Sequence, residues 1–244
     1  MYEDGAPSSR TVVAREVEDR SDTEIELEAT NPLEIYSVDV HGEWASWRRR
    51  APEAEHLELV LHNIMTGEQR VLDVGREGVV VYGGRLWGDR VVWSTSQGAL
   101  KEHRISTGVT REVLREPRLA PMYYVSVWDH YAAFNHESYS APWTVYLVDL
   151  DTAEVRPISP ADSRQDQPHL HGGRVVWTDF RGGGGPGGGM HVYVYSIATG
   201  REYLLNPSAP GGSEPRIFDR TVLWQGRAAP DLHGGIWVTR IGDV

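Results

Sequence analysis

Hydrophobic positions along this chain fall into short runs, and the runs recur. Two small or aliphatic residues followed by a large aromatic appear as Ala45-Ser46-Trp47, Val91-Val92-Trp93, Ala132-Ala133-Phe134, Val175-Val176-Trp177 and Val222-Leu223-Trp224. The aromatics lie 46, 41, 43 and 47 residues apart. A second pattern trails the first: Met65-Thr66-Gly67, Ser106-Thr107-Gly108, Asp151-Thr152-Ala153 and Ala198-Thr199-Gly200. Two patterns that hold phase over four copies mark a structural repeat.

Each copy predicts four short strands. The first precedes a tight turn such as Gly88-Asp89, Asp129-His130 or Gly172-Gly173, where Gly and Asp tolerate the positive φ of a two-residue hairpin. The second is the apolar run ending at the aromatic, and its lack of alternation suits a strand buried on both faces. The third alternates, as in His191-Val192-Tyr193-Val194-Tyr195 and Thr144-Val145-Tyr146-Leu147-Val148. The Thr-Gly pair closes a hairpin into a more polar outer strand such as Arg201-Glu202-Tyr203-Leu204-Leu205.

Four-stranded antiparallel units at this period predict an all-β fold, a β-propeller. Residues 35–244 accommodate five blades, at about 35–75, 76–116, 117–160, 161–208 and 209–244. The fifth ends after its third strand, Ile236-Trp237-Val238-Thr239-Arg240. Residues 1–34 are expected to supply its missing outer strand and close the ring, through Thr11–Val17 or Thr23–Leu27. A six-bladed ring with residues 1–34 as a degenerate blade is the runner-up. A β-sandwich comes third, because the regular period argues against it.

The phrase Pro168-His169-Leu170-His171-Gly172-Gly173-Arg174-Val175-Val176-Trp177-Thr178-Asp179-Phe180-Arg181, followed by Val192-Tyr193-Val194-Tyr195-Ser196-Ile197-Ala198-Thr199-Gly200, resembles the repeat of TolB-like β-propellers. These are bacterial and archaeal proteins of the periplasm and cell surface. The resemblance spans residues 35–244 and is strongest in the fourth copy. The third copy has Ala153 where the closing Gly belongs, and the family's Asp after the aromatic is present only at Asp179. The resemblance implies binding of a protein or ligand and an extracytoplasmic location, in the periplasm or at the cell surface, with a leader absent from this sequence. A cytoplasmic location stays open. It assigns no activity.

Composition changes this picture in three places. Thirty-five acidic against 24 basic residues give a formal charge of −11, which argues against a nucleic-acid partner. Residues 1–34 carry much of that charge, with ten Asp or Glu and three Arg. The chain has no Cys, so disulfides, thiolate metal sites and Cys nucleophiles are excluded. No apolar run reaches the ~18–20 residues that span a bilayer as a helix.

Candidate chemistry gathers at one end of the expected blades. The loops after the second strands and those between blades carry Arg48, His136, Glu137, Tyr139, Asp166, His169, Asp179, Arg181 and Arg216, which form the expected ligand-binding face. Arg48-Arg49-Arg50 suits an acidic ligand, and equally suits local pairing with Glu53 and Glu55. No cofactor is expected; His169 and His171, which share a strand face, are the candidate ligands should a divalent metal bind. The glycine run Gly182–Gly189, broken by Pro186, lacks the Lys-Ser or Lys-Thr of a phosphate loop. The leading expectation is a non-catalytic module that recognises a protein, peptide or glycan at one face. The alternative is a carbohydrate-active hydrolase or lyase, metal-assisted through His169 and His171. Its candidate carboxylates Asp39, Glu77, Asp166 and Glu214 do not coincide in repeat position.

Overall fold

The computed structural model describes residues 12–15, 22–25, 35–50, 56–136, 142–160, 163–181, 189–206, 211–227 and 234–242. They divide into two compact units, Met1–Leu86 and Trp87–Val244.

In the first unit, β1 (Val12–Arg15) and β2 (Asp22–Ile25) pair with each other as a two-stranded sheet. These are the described parts of the two segments expected to close the fifth blade; the rest of residues 1–34 lies outside the described residues. A four-stranded antiparallel sheet follows: β3 (Ile35–His41), β4 (Trp44–Arg50), β5 (Leu57–Asn63) and β6 (Gln69–Val74). Ala45, Trp47, Leu59, Val60 and Leu61 are its buried apolar residues.

The division between the units falls inside β7 (Arg85–Trp87), which opens the next sheet with β8 (Arg90–Ser94), β9 (Ala99–Arg104) and β10 (Val109–Arg115). The third sheet is β11 (Met122–Trp128), β12 (Tyr131–His136), β13 (Thr144–Asp149) and β14 (Val155–Pro157). The fourth is β15 (Gln165–His171), β16 (Arg174–Asp179), β17 (His191–Ser196) and β18 (Arg201–Leu204). The fifth has three strands, β19 (Gly212–Phe218), β20 (Thr221–Arg227) and β21 (Gly234–Arg240). Every sheet is built by strands in sequence order joined through hairpins, as the repeat predicts.

The five aromatics take equivalent places. Trp47, Trp93, Phe134, Trp177 and Trp224 lie on the second strands β4, β8, β12, β16 and β20, and all are buried. In the second unit the sheets pack face to face in series. Val92 and Leu100 meet Met122, Val127 and Phe134; Ala133 and Leu147 meet Leu170 and Trp177; Val176 and Val194 meet Ile217 and Trp224. Each aromatic buries a large side chain between neighbours, contributing several kcal/mol. The hairpin position that reads Gly67, Gly108 and Gly200 is left-handed in all three, and Ala153 adopts the same backbone at φ 61°. The turn geometry therefore survives the lost glycine at a cost of about 1–2 kcal/mol.

Candidate functional site

The first strands carry a shared irregularity that the repeat pattern does not announce. In β3, β11, β15 and β19 the pairing register slips, and at each slip a non-glycine residue turns left-handed: Ser37 (φ 55°), Tyr124 (φ 51°), Gln167 (φ 56°) and Glu214 (φ 52°). Each lies ten residues before its buried aromatic. The matching position before Trp93 is Gly83, where a Cβ would run into the Ser37 side chain. A bulge of this kind re-aims one side chain out of the strand, and the backbone costs about 1–3 kcal/mol per residue. Ser37, Tyr124 and Glu214 are exposed, with Tyr124 at 48 %.

The described acidic members of the expected face, Asp179 and Asp166, are held in ion pairs. Asp179, at the end of β16, is fully buried. Its Oδ2 accepts from Trp177 Nε1 at 3.0 Å and Arg181 Nε at 2.9 Å, and its Oδ1 accepts from Ser163 Oγ at 3.1 Å. Arg181 also donates to both oxygens of Glu202, at 2.6 and 3.1 Å, and lies 3.9 Å over the Tyr193 ring. Burial disfavours the charged guanidinium, but the bonds it donates to Glu202 and Asp179 outweigh that and raise its pKa. Asp166 accepts from Arg164 Nη2 at 2.9 Å and from the Gln167 amide at 2.8 Å.

The two histidines of β15 accept backbone amides. His169 Nδ1 accepts the Ile217 amide at 3.3 Å, and His171 Nδ1 accepts the Asp219 amide at 2.9 Å. One turn of the pleat earlier, Gln167 Oε1 accepts the Glu214 amide at 3.0 Å. Three side chains on one face of β15 thus bind the open edge of β19. Ser126 Oγ does the same for the Leu170 amide, and in the first unit Asp39 Oδ2 for the Leu86 amide at 2.7 Å. The rings of Trp87 and Phe218 flank His171 at 5.3 and 4.7 Å. Among the described residues no three His, Asp or Glu gather as a metal site.

The remaining members separate. His136 ends β12, with its Nδ1 buried and without a hydrogen-bond partner among the described residues. Arg216 Nη1 donates to Pro215 O at 2.9 Å. Glu137 and Tyr139 lie outside the described residues. In the first unit Arg48 ends on the Val81 carbonyl at 3.1 Å and Ser37 Oγ at 3.3 Å. Sequence reasoning missed Ser37, Tyr124 and Gln167 as a set. The signal was present as the ten-residue offset, but only the register slip gives it meaning.

Solved structures of the same architecture bear on this geometry. The β-propeller domain of the Trilobed protease from Pyrococcus furiosus, described as having an open velcro topology, superposes with a TM-score of 0.64 over 96 % of this chain and 75 % of that one, at 12 % identity. A TolB candidate from Agrobacterium tumefaciens gives 0.61 over 86 % of this chain and 78 % of that one, also at 12 % identity. This chain has the TolB-like β-propeller fold. TolB from Acinetobacter baumannii gives 0.58 at 14 % identity over 83 % of this chain, which spans about half of that protein, 52 %. No family model and no curated protein matches the sequence. At such identities the TolB-like likeness establishes architecture, and activity rests on the residues themselves.

Proposed function

We propose that this chain is a non-catalytic binding module that recognises a partner protein or peptide through exposed bulges on the first strands of its sheets. The observation that carries this is the set of left-handed residues at Ser37, Tyr124, Gln167 and Glu214. Ser37 in the first unit and Tyr124 and Glu214 in the second are exposed at that backbone cost, while Gln167 turns to the Glu214 amide, and such cost concentrates where ligands are held. The groups that a hydrolase needs are engaged elsewhere: Asp179 and Asp166 face arginines, and His169 and His171 bind backbone amides. No specific observation favours the carbohydrate-active alternative. A periplasmic or cell-surface setting belongs to this reading and is supported by the TolB likeness. No helix among the described residues is long and apolar enough to cross a membrane.

The test is a selection from a displayed random-peptide library against the full chain. Enriched peptides are expected to lose about tenfold or more in affinity when Tyr124→Ala or Glu214→Ala is introduced, with the melting temperature held. A library that yields nothing, or peptides indifferent to both substitutions, removes the reading. Hydrolysis of aryl glycosides lost in Asp166→Asn would install the hydrolase in its place.

A further inference from the structure

Three arginines end β4, and the structure treats them unequally. Arg49 donates through Nε to Glu58 at 3.2 Å and through Nη1 to Gln69 at 3.4 Å. Arg50 is exposed at the strand end. Arg48 is partly buried, and among the described residues no carboxylate lies within ion-pairing distance of it. Its Nη1 donates to a backbone carbonyl, that of Val81, and its Nη2 to the hydroxyl of the bulge residue Ser37. Its guanidinium stands 5.7 Å from the Tyr36 ring centroid, and its Nε–H is buried without a partner. Burial pushes the guanidinium below its ordinary pKa against the opposing pull of Tyr82 and Tyr36, and the neighbouring Arg85 adds a smaller push.

A cation taken out of water and left without a counter-charge is an expensive arrangement. Neutral oxygens and a tyrosine face offset part of the cost. A full negative charge placed against Nη2, whose long bond to Ser37 is exposed, would offset the rest. The number of cations narrows the anion. Arg85 is drawn 4.0 Å from Asp39, so beside it Arg48 offers a single positive charge with no carboxylate partner among the described residues, which matches a carboxylate better than a phosphate dianion. Tyr36, 42 % exposed, and Ser37 sit beside it, on the same bulge that the binding reading uses.

We propose that Arg48 is an anion anchor, taking a side-chain carboxylate from an acidic segment of the partner peptide. The inference rests on the binding reading and deepens it: the partner is acidic where it meets β3 and β4. Arg48 touches the ligand directly, Ser37 orients the guanidinium, and Tyr36 covers one face of it.

The test follows the Arg48 Nε–H resonance of the labelled full chain, assigned by its disappearance in Arg48→Lys. Acetylated, amidated triglutamate is expected to move it saturably, with trilysine of the same form inert and inorganic phosphate weaker. Arg48→Gln is expected to weaken triglutamate binding about tenfold or more. Should that variant not fold, Arg48→Lys and the wild-type titration still decide. A resonance indifferent to triglutamate overturns the proposal. So does tighter binding of phosphate. So does a resonance that moves on Glu53→Gln or Glu55→Gln without any peptide, because the counter-charge is then internal. Library peptides sensitive to Tyr124→Ala but indifferent to Arg48→Gln sink this inference and leave the binding reading standing. A triglutamate response with an empty library does the reverse.

Discussion

In the second unit Glu102 is fully buried, and three arginines close on it: Arg90 at 2.6 Å, Arg104 at 2.9 Å and Arg111 at 2.6 Å. Arg90 and Arg104 continue to Asp151. In the first unit Arg49 pairs with Glu58, but the partly buried Arg48 and Asp39 are met mainly by dipoles. Arg48 has a carbonyl and a hydroxyl; Asp39 has the Leu86 amide, with Arg85 at the limit of pairing distance. The contrast separates two uses of charge. Where opposite charges close a network, the network holds strands together and has little left for a ligand. Where a charge is solvated only by dipoles, it keeps most of its capacity to bind an ion.

This contrast is easiest to break at its strongest point. Glu102→Ala leaves Arg90 buried beside two further arginines, so the second unit is expected to lose about 3–5 kcal/mol, read as a shift in urea unfolding followed by tryptophan fluorescence. Arg48→Met, by the same reasoning, removes an uncompensated charge and should change stability by only about 1 kcal/mol or less. Equal losses in the two variants would erase the distinction. Next in size is Trp177→Phe. It keeps most of the buried ring but withdraws the Nε1 donor from Asp179, for an expected loss of about 1–3 kcal/mol. Asp179→Asn in the Trp177→Phe background should then cost less than it does alone, because the two residues share one network.

A smaller effect tests the seam between β15 and β19. His169→Ala orphans the Ile217 amide and should cost about 1 kcal/mol, with hydrogen exchange faster at Ile217 than at Val222 on the partner strand β20. Ser126→Ala should do the same at Leu170. If His169 were held for a metal instead, divalent ions would slow exchange at Ile217, and the seam reading would fall.

These seams show where the sequence was legible. The buried aromatics, from Trp47 to Trp224, were readable because burial on both faces demands unbroken apolar runs, and such runs repeat visibly. The hairpins were readable through Gly67, Gly108 and Gly200, since positive φ selects glycine. His169 and His171 were correctly placed on one face, but their partners were not readable: a backbone amide on the next sheet leaves no mark in sequence. Tyr124 and Glu214 gave no warning of a left-handed backbone, because neither is a residue type that favours it. Arg48-Arg49-Arg50 looked like one feature. Tertiary context split it, giving Arg49 a carboxylate and Arg48 none among the described residues.

The same division predicts a small dependence on pH of opposite sign in the two units. Burial raises the Asp39 pKa, against the pull of the Leu86 amide and Arg85. A carboxyl that holds its proton more tightly folded than unfolded stabilises the fold below its unfolded pKa, and that contribution fades as pH rises through the folded value. Arg90 lowers the Asp151 pKa, and at Asp89 the bonds from Ser106 outweigh burial and lower it as well. Their contribution is present at neutral pH and is lost as pH falls through the acid end of the carboxylate range. Asp151 is half exposed, so its share is modest. Exchange protection corrected for intrinsic rate should therefore fall around β8 and β9 on acidification, while β4 and β5 gain or hold. Asp39→Asn keeps an acceptor for Leu86 and removes the titration, so it should flatten the first unit's profile and leave the second unit's unchanged. Parallel profiles in the two units would mean that the local surroundings of these carboxylates do not set the response, and that the net charge of the whole chain does.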